Sequence, residues 1–180
     1  MTSAELERGR RPAWPEALPM GDRLRAGARD RWVRMRTELG DGEGRVGMLR
    51  RHRVVIAELF GEHSWVTVIA EDWPARDGAA GWTAVHLPEA EPWRPIESED
   101  AGGAGVAADL FVAEVGATTL DDLLGLALDG RALFVLADPE RRRLYAPYDL
   151  GADVFFVDEG ERAAFRARHA DWLSLRAGGL

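Results

Sequence analysis

The stretch from Arg131 to Leu173 limits the fold most, because it alternates short apolar runs with connections tight enough to force hairpins. Residues 131–137 read Arg-Ala-Leu-Phe-Val-Leu-Ala, a β-strand. Asp138-Pro139 opens a turn: the aspartate can bond the backbone beyond it, and the proline presets φ. Residues 143–147 return, Tyr148-Asp149-Leu150-Gly151 turns again, and 152–157 runs as a third strand. Parallel neighbours need a crossover of a dozen or more residues, so these short links dictate antiparallel pairing. Asp158 with Glu161 three positions later then forms an acidic capping box. The helix it opens aligns Phe165, His169, Trp172 and Leu173.

Upstream, Asp22–Arg31 reads as a short helix anchored by Leu24. Trp32–Leu39 alternates, with Val33, Met35, Thr37 and Leu39 facing one way and Arg34, Arg36 and Glu38 the other. That period of two is a half-buried strand. Residues 45–60 carry Val46, Leu49, Ile56 and Phe60 at helical spacing, widened by Val55 and Leu59, and Gly61 supplies the stop. Residues 64–70 are apolar on both faces, as in a central strand. Residues 109–116 form another strand, and Thr119 caps a helix with Leu120, Leu123, Leu124, Ala127 and Leu128 on one side. The order predicts an α+β fold: one mostly antiparallel sheet of five or six strands with three or four helices packed on it. Residues 1–21 are expected to form an extended arm and 22–180 a single domain. Residues 73–106, rich in proline and glycine, are expected to be a long irregular loop.

Composition narrows the function classes. There is no cysteine, hence no thiolate nucleophile, thiolate metal site or disulfide framework. No apolar run approaches the roughly 20 residues that span a bilayer, and the start lacks a basic segment followed by an apolar core. A cytoplasmic protein with no membrane association is the expectation. All 23 basic residues are arginine, and Lys, Asn and Gln are absent. A very GC-rich bacterial genome accounts for that bias. Residues 1–53 hold 13 Arg against 8 acids, whereas 54–180 hold 10 Arg against 23. The basic stretch Arg23–Arg36 is interrupted by Asp30, so intramolecular pairing with the acidic remainder is preferred over nucleic-acid binding. A body this acidic repels phosphate and suits a basic protein partner.

Met35-Arg36-Thr37-Glu38-Leu39-Gly40, the helix after it and the Trp65 strand resemble the opening of a bacterial domain family of unknown function, numbered 3885. That family opens Leu-Arg-Phe-Glu-Leu-Gly. It closes with a hairpin Tyr-Asp-Asp-Arg-Gly-Met-Asp-Val and a helix ending Trp-Leu. Tyr148-Asp149-Leu150-Gly151-Ala152-Asp153-Val154 and Trp172-Leu173 are similar to that close. The resemblance covers roughly residues 30–175, with 73–106 outside it. Leu150 stands where the family keeps Asp-Arg, so a function resting on that pair is absent here. The resemblance implies no assigned activity.

Two groups of residues are candidates for chemistry. Arg36, Glu38, Tyr148, Asp149 and Asp153 could form a polar site for a small ligand or an enzyme; two carboxylates beside a phenol suit a cation or acid–base work. Against that, Arg36 and Glu38 suit a cross-strand ion pair, Asp149 suits its own turn's amides, and Asp153 suits solvent. Trp73, Trp82 and Trp93 are the other group, since tryptophan is enriched at binding hot spots. His52, His63, His86 and His169 show no metal-ligand spacing, and the two on the long helices are expected to be packing residues. No cofactor motif is present. The preferred reading is a non-enzymatic protein-binding module, in the manner of an immunity or antitoxin protein facing a basic partner.

Overall fold

The computed structural model describes residues 21–40, 42–61, 65–73, 80–98, 106–138 and 142–173. The arm expected at 1–21 lies outside them except for Gly21. Helix α1 (Gly21–Gly27) leads to β1 (Trp32–Arg36), α2 (Gly44–Phe60) and β2 (Val66–Asp72). Next come α3 (Trp82–His86), β3 (Glu91–Ser98), β4 (Val106–Val115) and α4 (Ala117–Leu128). The hairpins β5 (Leu133–Ala137), β6 (Leu144–Tyr148) and β7 (Gly151–Phe155) follow, then α5 (Glu159–Arg168) and a 3-10 turn, Ala170–Trp172.

The α+β class holds, but among the described residues the sheet has seven strands rather than five or six, ordered β1-β7-β6-β5-β2-β4-β3, and the helices number five rather than three or four. Every pairing is antiparallel. Both expected hairpins are present, β5 pairing with β6 and β6 with β7, though residues 139–141 lie outside the described residues. Asp138 Oδ1 accepts from the amides of Arg142 at 2.6 Å and Arg143 at 3.2 Å, which ties the β5–β6 turn from within. Apolar on both faces, β2 lies inside the sheet between β5 and β4.

The extra strand corrects the expected loop. Within 73–106 the chain forms α3 and β3, and β3 carries Pro92 and Pro95. Proline has no N–H to give a ladder, so it survives only where one strand side needs no partner. Accordingly β3 is an edge strand, and its register slips between Pro92 and Arg94. Prolines that mark a loop in sequence here mark an edge that resists further pairing.

One sheet face is the main core. It packs Val33, Met35, Val68, Phe134, Leu136, Tyr145 and Val154 against Val55, Ile56, Leu59 and Phe60 of α2, Leu123 and Leu124 of α4, and Phe165 of α5. On the other face, Leu24 of α1 and Ala28 just after it pack on Val135, Leu144 and Phe155. Two expectations fail on the helices. Val46 is exposed, and the buried stripe of α2 runs instead through Gly47, Arg51, His52, Val55, Ile56, Leu59 and Phe60. Helix α4 begins at Ala117 with Gly116 before it and no side-chain cap, so Thr119 is not the cap. Half of the acidic capping box is present: Asp158 Oδ1 accepts from Glu161 N at 2.9 Å, while the Glu161 carboxylate reaches back to the Val157 amide at 3.4 Å rather than to that of Asp158.

Candidate functional site

Strand alternation sends Arg34 and Arg36 of β1 to the α1 face, and the register sets Asp153 of β7 directly opposite Arg34. Asp153 does not face solvent as expected; it is 1% exposed. A buried carboxylate is costly unless it is paired and hydrogen-bonded. Arg34 donates to it from Nε at 2.9 Å and Nη2 at 3.3 Å, and Arg25 of α1 donates from Nη1 at 2.6 Å. The hydrogen bond to Asp153 is the main reason the Arg34 pKa is raised further. The Arg34 guanidinium also lies 5.5 Å from the Tyr148 ring and 5.4 Å from the Trp32 ring. Burial pushes the Tyr148 phenol well up and the Asp153 charge adds to that, outweighing the pull of Arg34 and Arg25. Tyr148 is therefore a hydroxyl donor, not a phenolate.

Gly151 stands between Arg36 and Tyr148 in the pairing register. A Cβ there would overlap the Met35 carbonyl oxygen and lie 3.1 Å from the Tyr148 hydroxyl. Only glycine lets β7 approach β1 this closely.

Of the five residues nominated for a polar site, three share this face: Arg36, Tyr148 and Asp153. The other two do not join them. Glu38 is exposed beyond the end of β1 and borders a hollow of ≈ 270 Å³ with Gly40, Gly42, Gly44 and Arg51. Asp149 is exposed and accepts from the Leu150 amide at 2.9 Å, the turn role weighed for it above. The cross-strand ion pair weighed for Arg36 and Glu38 is made instead by Arg34 with Asp153.

The three tryptophans do not share a patch. Trp82 of α3 packs on the main core, 6.2 Å from the Phe134 ring, and donates to the Glu71 carbonyl at 2.9 Å. Trp93 lies on the opposite face against Ile69, Ile96, Leu110 and Val112. Trp73 borders a cleft of ≈ 390 Å³ lined also by Asp72, Thr83, Leu87, Asp109 and Phe111. Its indole is held by Glu71 Oε1 at 2.6 Å. In that cleft Asp72 of β2 faces Asp109 of β4 across the ladder. Asp72 is buried, accepts from the Thr83 amide at 3.1 Å, and also from the Thr83 hydroxyl, which fixes α3 over the sheet. A Cβ on Gly81 would overlap the Asp72 carboxylate, so glycine is needed at this helix entry.

A third polar group lies within the main core. His52 and Tyr145 are both fully buried, with His52 Nδ1 2.6 Å from the Tyr145 hydroxyl. Burial lowers the His52 pKa to about 4 and raises that of Tyr145 well above its ordinary value. A neutral imidazole accepting at Nδ1 satisfies the hydroxyl and leaves one orphan, the Nε2 hydrogen; the reverse tautomer orphans both the hydroxyl hydrogen and Nε2. The first arrangement is therefore preferred. His52 is buried in the core, as expected, but His169 does more than pack: it stacks on Trp172 at 4.9 Å, lies tilted to Phe165 at 4.5 Å, and its Nε2 meets Glu58 Oε2 at 2.5 Å.

Sequence reasoning missed Arg25 and Arg34, the Asp72–Asp109 pair and the His52–Tyr145 pair. A signal existed for His52: counting back from Val55, Ile56 and Leu59 at helical spacing reaches Arg51 and His52. For the others the partners lie far apart along the chain, and only strand register brings them together.

A family model described as Domain of unknown function (DUF3885) matches residues 20–177. The chain belongs to this family. The DUF3885 match runs through residues 73–106, the segment that the resemblance had left outside, and it contains the cleft, the arginine face and the His52–Tyr145 pair. No curated protein and no solved structure matches the chain.

Proposed function

We propose that this DUF3885 protein is a protein-binding module whose cleft, between α3 and the β2–β4 pair, takes a cationic side chain from a basic partner. The observation that carries this reading is the cross-strand pairing of Asp72 with Asp109 on the cleft wall. Like charges directly opposite on a ladder destabilise it. A guanidinium or ammonium group between them would remove that repulsion. Trp73 and Phe111 supply aromatic walls for the same cation, and the volume of ≈ 390 Å³ is at the small end of ligand sites. One long side chain suits it.

The hydroxyl of Thr83 is engaged by Asp72 and acts as an anchor rather than a nucleophile. The acidic balance of residues 54–180 favours encounter with a basic surface. Capture of a basic protein, in the manner of an immunity or antitoxin partner, is the role this chemistry serves.

The test is a titration with a short arginine-containing peptide, followed through the indole N–H resonance of Trp73. A saturable shift is expected, weakened about tenfold by Asp109→Asn, the size of losing one charge-assisted contact. In the free protein the same substitution should raise stability by a few tenths of a kcal/mol at most, because it relieves the like-charge pair. A citrulline peptide binding as well as the arginine peptide would overturn the reading.

A further inference from the structure

Among the described residues, the face built by α1 and β1 carries more guanidinium groups than carboxylates. Arg25 and Arg34 meet there on one carboxylate, Asp153, and Arg36 stands two residues further along the same side of β1. Both oxygens of Asp153 are taken by Arg25 and Arg34. Arg36 is next along the same strand side, opposite Gly151, and its Nε is shut off from water with no acceptor among the described residues. A buried guanidinium N–H costs free energy unless an acceptor is supplied. In the native proteins where such a group persists, an ion or water is a common explanation.

We propose that this face is a binding site for a small oxyanion, a phosphate or carboxylate group, held by Arg36 and Arg34 with the Tyr148 hydroxyl. Arginine presents its donors in a planar fork that matches both groups. Arg34 is pre-oriented, because Asp153 fixes its Nε edge and the Trp32 and Tyr148 rings flank its plane. Tyr148 stays protonated and so can donate to an anion where a phenolate would repel it. Gly151, without a side chain, keeps Tyr148 close to β1. Asp153 is one carboxylate shared by two guanidinium groups, so it discharges them only in part. Asp149 and Glu38, the nearest carboxylates along the chain, are exposed.

This site and the cationic cleft use opposite charge, on different faces and different strands, so either proposal can fail alone. The experiment is a titration of the full chain with inorganic phosphate and, separately, with acetate, at constant ionic strength, watching the Arg36 Nε–H resonance. Saturation by phosphate, by acetate or by both supports the site and says which oxyanion it prefers. Arg36→Met should weaken binding about tenfold or more, the loss of one charge-assisted fork. Tyr148→Phe should weaken it severalfold while keeping the ring that flanks Arg34. Circular dichroism and thermal midpoint check that each variant folds, and Tyr148→Phe remains the test where Arg36→Met is unstable. An Arg36 resonance that does not respond to either anion, or equal binding by wild type and both variants, would overturn the proposal.

Discussion

Lowering the pH from about 7 to about 4 should remove about 3 kcal/mol of folding stability through His52 alone. The folded imidazole has a pKa of about 4, against 6.5 for the ordinary group, and burial is the cause. Below 6.5 the unfolded chain takes up a proton that the folded core refuses until about 4. Protonation thus favours unfolding: the stability is fully present above 6.5 and is lost as the pH falls through the folded value. Each tenfold difference in proton affinity is worth ~1.4 kcal/mol, which sets the size. Urea denaturation at a series of pH values measures it, comparing wild type with His52→Gln. The amide can still accept from Tyr145 but cannot titrate, and carboxylates such as Glu58 act equally in both chains. Parallel stability curves for the two would show that His52 is protonated inside the fold, and the prediction would be wrong.

Asp153→Asn should cost about 3 kcal/mol, near the low end of what breaking a buried ion pair costs. The amide fills the same space but leaves two guanidinium groups facing a neutral partner. Arg25 and Arg34 side chains are 29% and 19% exposed, so water recovers part of the loss and the extreme of that range is not expected. For a chain of this length the thermal midpoint should drop by roughly 6–12 °C. The damage should be local first: β1 and α1 are what Asp153 joins, so amide exchange in β1 should speed up before that in β2. Asp149→Asn, on the neighbouring turn, should change the midpoint little, since asparagine can take the same turn bond. A loss below 1 kcal/mol for Asp153→Asn would mean that the cluster is solvated and does not latch the sheet.

The elements that could be read from sequence are those whose own residues decide them. Asp138-Pro139 and Tyr148–Gly151 dictate hairpins by loop length, and both are there. The alternation of Trp32–Leu39 sorts Val33, Met35 and Thr37 into the core. Strand β3 could not be read, because Pro92 and Pro95 weigh against a strand until it is known to be an edge. Val46 misled for a similar reason: hydrophobicity alone placed it in the stripe, while Arg51 is held inside by Thr37 O and Glu43, and His52 by Tyr145 at Nδ1.

The candidate sites divide the same way. Arg36, Tyr148 and Asp153 were visible as chemistry, and the hairpin turn placed Tyr148 beside Asp153. That Asp153 is buried, and that Arg34 rather than Arg36 holds it, follows from the β1–β7 register, which joins residues more than a hundred positions apart. The pairing of Asp72 with Asp109 depends equally on β2 lying beside β4. By itself the chain's sequence determined the fold class, the three-strand meander and the core side of β1, because local turn geometry and periodicity carry that information. The tertiary structure alone decided which charges meet, since strand order and register are set by the burial of the whole sheet and not by any one segment of it.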